Sequence, residues 1–180
     1  MTIIKKTYLT LILISILMFC IGCSHEAQIY AQNKPKADIR KYFNGKLEAF
    51  GILQDRSGKV IKTFTVALEG SWKGNVGTLK EHFNFSDGKK DDRIWTLKMI
   101  DDHNFTGTAH DIVGTSHGQQ YGNAIKMNYI ITIPVDGKKY DIKVKDWLFL
   151  VDDKSLINVS DMTKFGIRVG RLAIGFKKLN

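Results

Sequence analysis

Leu79-Lys80-Glu81-His82-Phe83-Asn84-Phe85 runs into Ser86-Asp87-Gly88-Lys89, and beyond that comes Arg93-Ile94-Trp95-Thr96-Leu97-Lys98-Met99. Leu79, Phe83 and Phe85 share one phase of the first run, as Trp95, Leu97 and Met99 do in the second, and a period of two marks a strand with one buried face. Asp-Gly between alternating runs is a strong hairpin signal, because the tight turn it favours needs positive φ at its centre. The stretch therefore reads as an antiparallel hairpin. Two charges break its pattern: Glu81 stands in phase with Leu79 and Phe83, and Arg93 with Trp95 and Leu97. Both are expected to point inward, as near neighbours across the hairpin. An unpaired buried charge is costly. The pair therefore predicts either a mutual ion pair that closes one end of the core, or a ligand anchor in which Arg93 meets a carboxylate or phosphate in a forked contact.

Working outward, the alternation continues through Phe64, Val66 and Leu68, and through Ile125, Met127, Tyr129, Ile131 and Ile133. Turn chemistry recurs at residues 55–58, 73–75, 87–90, 101–104, 114–118, 136–139, 152–154 and 161–166. These breaks imply about nine strands. No stretch carries apolar residues at sustained helical spacing, so helices are expected only as short turns. The fold class is all-β. With every connection short, sequence neighbours pair, and antiparallel strands that must bury one face and lose their edges curl most simply into an up-and-down barrel. A sandwich is the alternative. Gly51, Gly70, Gly107, Gly122 and Gly175 fall inside strand-like segments, where glycine marks the bends and bulges of a small barrel.

The chain has 180 residues, 43% of them apolar, which suits one domain with appendages and excludes a multidomain enzyme. Residues 1–6 are basic and residues 7–19 apolar, a run shorter than the roughly 20 residues of a membrane-spanning helix, so the segment reads as an export signal. With Cys20-Ile21-Gly22-Cys23 at its end it resembles a bacterial lipoprotein signal, which implies cleavage before Cys23 and diacylation of that cysteine. An ordinary signal cut after Ala27 or Ala31 is the alternative. The expected organisation is a signal peptide over residues 1–22, lipidated Cys23 with a flexible tether to residue 41, and a barrel domain over residues 42–180. Ser24, where an aspartate would favour inner-membrane retention, implies lipid anchoring in the outer membrane, facing the periplasm. Maturation would remove Cys20, leaving neither a redox pair nor half a zinc site, and the exported domain would have no disulfide. It would also remove Lys5 and Lys6 but no acid, so the charge falls from +9 to +7. The scattered lysines and arginines read as a solvated face with some attraction to anionic lipid headgroups, and no nucleic-acid partner is expected.

Trp72, Trp95, Trp147, Phe83, Phe85, Tyr121, Tyr129 and Tyr140 are candidates to line a cavity or simply to fill it, since a barrel of about eight strands is only just wide enough for side chains or one small ligand. Asp111, in phase with Phe105, is a candidate third inward polar group, and Arg168 or Arg171 a candidate to stack on a tryptophan. Gly114-Thr115-Ser116-His117-Gly118 matches the Gly-x-Ser-x-Gly pattern of serine hydrolases. That motif needs a strained turn from strand into helix, whereas here strand-like segments flank it, so a glycine-rich loop is the better reading. His82, His103, His110 and His117 lack metal-ligand spacing, so no metal site is expected. No phosphate-cradling or dinucleotide loop is present, and no cofactor is expected.

Several uncommon motifs occur in order: Gln54-Asp55-Arg56-Ser57-Gly58-Lys59-Val60, Gly70-Ser71-Trp72-Lys73-Gly74, Arg93-Ile94-Trp95, Gly122-Asn123-Ala124, Pro134-Val135-Asp136-Gly137, Asp146-Trp147 and Met162-Thr163-Lys164-Phe165-Gly166. On these the chain resembles the bacterial envelope lipoproteins of domain-of-unknown-function family 3833. The resemblance implies a lipocalin-like, calycin-type barrel and a loose association with genes of fatty-acid modification, and brings no established activity. The expected function is a non-enzymatic, membrane-tethered barrel that binds or carries a fatty acid or other lipid-like ligand through Arg93, Glu81, Trp95, Trp72, Phe83, Tyr129 and Trp147. The alternative is a filled, ligand-free barrel that partners an envelope protein or a lipid-modifying enzyme. An enzyme acting through Glu81 or Asp111 ranks last, for want of a recognisable nucleophile and base.

Overall fold

The structure is a computed structural model that describes residues 27–135 and 137–179. Ten strands follow one another: β1 (Gly45–Asp55), β2 (Val60–Lys73), β3 (Val76–Phe85), β4 (Lys90–Met99), β5 (Asn104–Thr108), β6 (Ser116–Tyr121), β7 (Ala124–Val135), β8 (Lys138–Leu150), β9 (Ser155–Lys164) and β10 (Ile167–Lys178). Each pairs antiparallel with its neighbour in sequence, and β1 pairs with β10, from Leu47 opposite Lys178 to Asp55 opposite Gly170. The sheet thus closes into an up-and-down barrel without a free edge.

The expected count was one strand short, and the reason is Gly122. Rather than bending a strand, it sits at φ +52° in the turn between β6 and β7, where Tyr121 pairs with Ala124. The other tight turns follow the expected chemistry, with positive φ at Gly58, Gly74, Gly88, Gly137 and Gly166.

Residues 27–41, expected to be part of a flexible tether, instead close one end of the barrel. A short 3-10 helix (Ala27–Tyr30) lies against the outside, where Tyr30 packs edge-on to Trp147 at 5.6 Å and to Phe149 at 5.2 Å. The one-turn helix α1 (Ile39–Tyr42), begun by Asp38, which accepts a hydrogen bond from the Arg40 amide, covers the barrel end. Ala27, Ala37, Ile39, Tyr42 and Phe43 are all buried. Polar groups lock the cap in place: Gln120, buried on β6, accepts from the Ile39 amide at 2.9 Å, and Trp72 donates to the Phe43 carbonyl at 3.3 Å. Lys178 donates to the carbonyls of Lys41 and Tyr42 at the helix C-terminus. Two glycines make room. A Cβ on Gly70 would run into the Phe43 carbonyl, and one on Gly122 into that of Tyr30. The physical reason that this largely polar segment is no tether is that its few apolar residues, Ala27, Ala37 and Ile39 among them, are buried against the closed barrel.

The core is graded along the barrel axis. β1 runs from buried Leu47 and Ala49 near the cap to half-buried Leu53, and β7 from buried Ile125 and Met127 to half-buried Tyr129, Ile131 and Ile133. The uncapped end, ringed by the β1–β2, β3–β4, β7–β8 and β9–β10 turns, is a mouth.

Candidate functional site: the barrel interior

Inside the barrel is a cavity of about 730 Å³, running from Ile39 and Phe43 beneath the cap to Lys62, Asp91 and Lys139 at the mouth. Its walls are mostly apolar, including Leu79, Leu97, Met127, Ile131, Leu172 and Ile174. That volume lies within the roughly 300–1,000 Å³ of small-ligand sites, so the barrel fits a hydrophobic ligand. The aromatic residues do not fill it. A second hollow, of about 650 Å³, lies on the outer face between Phe50, Ile52 and Ile157; it is open to solvent and has no charged side chain.

The middle of the cavity wall is polar, and each group is placed by strand register. Glu81 and Arg93 sit directly opposite each other on β3 and β4, as their phase predicted. Their contact is loose, Arg93 Nη1 lying 3.6 Å from Glu81 Oε2. The closer partner is Asp111, whose Oδ2 accepts from Arg93 Nε at 3.0 Å and from Nη2 at 2.7 Å. Asp111 belongs to the β5–β6 connection, which folds across β7: Ile112 bridges to Ile131, and the Thr132 amide donates to the Asp111 carbonyl. The Arg93 guanidinium also lies over the Phe83 ring at 5.4 Å and the Trp95 ring at 5.9 Å.

A second cluster lies beside the first. Asp146 on β8 accepts from Ser160 Oγ at 2.6 Å, from Asn158 Nδ2, and from the Tyr129 hydroxyl at 3.3 Å, while Tyr129 packs edge-on to Trp95 at 5.6 Å. Burial decides the proton affinities of this wall. It pushes the Glu81 carboxyl up to about 7 despite the pull of Arg93, raises Asp146 against its three hydrogen-bond donors, and raises the Tyr129 phenol. Glu81 Oε2 and Asp111 Oδ1 are buried and accept no hydrogen bond.

Of the expected ligand-site residues, Glu81, Arg93, Trp95, Phe83 and Tyr129 line the cavity together. Trp72 and Trp147 do not. Trp72 belongs to the capped end, its ring against the Gly77 backbone. Trp147 is on the outer face, out of phase with the inward Val144, Asp146 and Leu148, and it stacks on Phe149 under Tyr30. Arg168 and Arg171 reach Asp161 rather than a tryptophan, Arg171 Nε at 2.9 Å. Cys23 lies outside the described residues. Ser116, the serine of the Gly-x-Ser-x-Gly match, opens β6, is fully buried and donates to the Gly107 carbonyl at 2.7 Å. Among the described residues no group of His, Cys, Asp and Glu is arranged to hold a metal ion. Asp146, Asn158 and Ser160 went unrecognised as site residues, although each is in phase with buried neighbours, Asp146 with Val144 and Leu148, the other two with Leu156 and Met162.

A closed antiparallel barrel around an internal cavity defines the lipocalin-like, calycin-type class of fold. The family model described as "Protein of unknown function (DUF3833)" matches residues 17–178, and the chain belongs to that family. No curated protein matches it at a significant level. Among solved structures, it is similar to the S-type phycobiliprotein lyase CPES from Guillardia theta, at 5% identity over 87% of this chain and 99% of that one, with a TM-score of 0.56. A redesigned β-barrel bound to DFHBI is matched at 10% identity over 79% of this chain and all of that one, with a TM-score of 0.43.

Proposed function

We propose that this protein is a membrane-tethered carrier or receptor that holds a fatty acid or other lipid-like molecule inside its barrel, in the cell envelope and without catalysis. The observation that carries the reading is the cavity of about 730 Å³ with apolar walls and one polar band. Burying an acyl or aromatic body there is worth about 0.8 kcal/mol per methylene, and the polar band orients one end of it. The tether is shorter than its sequence suggests. If Cys23 is the acylated residue, only three residues separate it from packed Ala27, a reach of at most about 14 Å. The barrel would then sit close to the outer membrane on the side where the 3-10 helix packs.

The test is to isolate the full chain from its own envelope under non-denaturing conditions, weigh it by native mass spectrometry, and identify what dissociates. A stoichiometric lipid-like adduct, lost in the cavity-filling variant Leu172→Trp, is the expected result. A bare protein even after incubation with envelope lipid extract would refute the carrier and favour a ligand-free barrel that acts through protein partners.

A further inference from the structure

The cavity's polar band has the wrong charge balance for a free carboxylate ligand. In the middle of the wall Glu81, Asp111 and Asp146 supply three acidic groups around one base, Arg93, while the other charged residues of the lining, Lys62, Asp91 and Lys139, stand at the mouth. Its fork is already engaged, with Nε and Nη2 on Asp111 and Nη1 facing Glu81. A ligand carboxylate would have to displace Asp111 and add a fourth acid to the site. The unmet need is for donors: Glu81, inward on β3 and only 8% exposed, keeps Oε2 without a hydrogen bond, as Asp111 keeps Oδ1. Buried acceptors of this kind call for a donor, and an ammonium brings three, no acceptor and a compensating charge.

We propose that the barrel selects amphiphiles with a donor head, protonated amines above all, using Glu81 and Asp111 as acceptors, and discriminates against free fatty-acid carboxylates. This rests on the ligand-binding reading above, keeping its lipid-like molecule and setting aside its free fatty acid. The titratable and charged groups of the cavity are Glu81 from β3, Arg93 from β4, His110 and Asp111 from the β5–β6 connection, Tyr129 from β7 and Asp146 from β8, with Lys62 from β2, Asp91 from β4 and Lys139 from β8 at the mouth. With Glu81 held up to about 7 by burial, the empty site keeps a proton there at mildly acid pH. An arriving ammonium displaces that proton to solvent. Amine affinity therefore rises with pH between 6 and 8.

The test uses three soluble probes with one apolar body, a phenyl ring on four methylenes: 4-phenylbutylamine, 4-phenylbutanol and 5-phenylpentanoate. Each is titrated calorimetrically into the full chain held in phosphatidylcholine nanodiscs, with empty discs subtracted. The amine is expected to bind about tenfold or more tighter than the carboxylate at pH 8, with the alcohol between them. The amine-to-alcohol ratio is expected to collapse in Glu81→Gln and, in the unaltered protein, to shrink at pH 6. A carboxylate that binds as tightly as the amine, or a ratio indifferent to pH, overturns the donor-head inference and leaves the carrier reading standing. Failure of all three probes to bind overturns both.

Discussion

The two ends of the barrel are built differently. At the capped end, Leu47, Phe105, Ile125 and Leu156 are each at most 1% exposed, and residues 37–43 pack over them. At the mouth, Phe83 and Phe85 stack on each other with centroids 5.8 Å apart but remain only half-buried, as do Leu53, Ile131 and Ile133. Both ends are made of the same alternating strands, so strand pattern does not set the difference. A closed barrel leaves two apolar openings, and among the described residues a cap covers one of them. Stability is thereby concentrated in the capped half, and the cavity that begins beneath the cap opens at the uncovered end.

Truncation should separate the two ends most sharply. Phe43 is buried, packs edge-on to Phe176 at 5.9 Å and gives its carbonyl to Trp72; Phe43→Ala should cost about 3–5 kcal/mol in urea unfolding. Phe85→Ala, at the half-buried mouth, should cost about 1 kcal/mol. Equal losses would break the contrast. Between the ends, Arg93→Ala strands Glu81 and Asp111 without their cation and should cost about 3 kcal/mol at pH 8. Acidification should recover part of that loss as Glu81 protonates, so a loss independent of pH would mean that Arg93 matters only by packing.

A smaller effect comes from the Glu81 proton itself. Its carboxyl is raised in the folded state from an ordinary 4.5 to about 7, so between those values the folded protein holds a proton that the unfolded chain has released. Stability should therefore fall by about 2 kcal/mol as pH rises from 4.5 through 7, and Asp146, also raised by burial, adds to the fall. The lowered aspartates, Asp38, Asp55, Asp87, Asp101 and Asp152, act in the opposite direction, but only as pH drops below about 4. Unfolding curves across this range should show the decline in the unaltered protein and a flatter profile in Glu81→Gln. The smallest effect belongs to Lys138→Ala in the β7–β8 hairpin, which should shift stability by less than about 0.5 kcal/mol and leave probe binding unchanged.

Much of this was legible in the sequence wherever a local rule applied. Alternation and Asp-Gly turns located the hairpins, and the phase of Glu81 and Arg93 placed them inside and opposite each other. What was not legible depended on contacts far apart in the chain. Asp111 becomes the main partner of Arg93 only because its loop crosses β7 at Ile131. Residues 27–43 look polar and aperiodic, and they become a cap only against Gly70, Gly122 and Gln120, which lie far along the chain. Trp147 misled because aromatic character says nothing about which face a side chain occupies, whereas its phase against Leu148 did. The same phase rule, applied to Asp146, Asn158 and Ser160, would have found the second polar cluster.

The barrel interior is a ligand-sized space that opens at the mouth and is closed off by the cap. Methyl chemical-shift mapping of the full chain in nanodiscs, with 4-phenylbutanol as the probe, tests it directly. The methyls of Ile131, Ile133, Leu172 and Ile174, which line the cavity, are expected to shift in a saturable way, while those of Leu47, Leu150 and Leu156 stay in place. Shifts confined to the outer-face residues Ile52 and Ile157, or none at all, would contradict it.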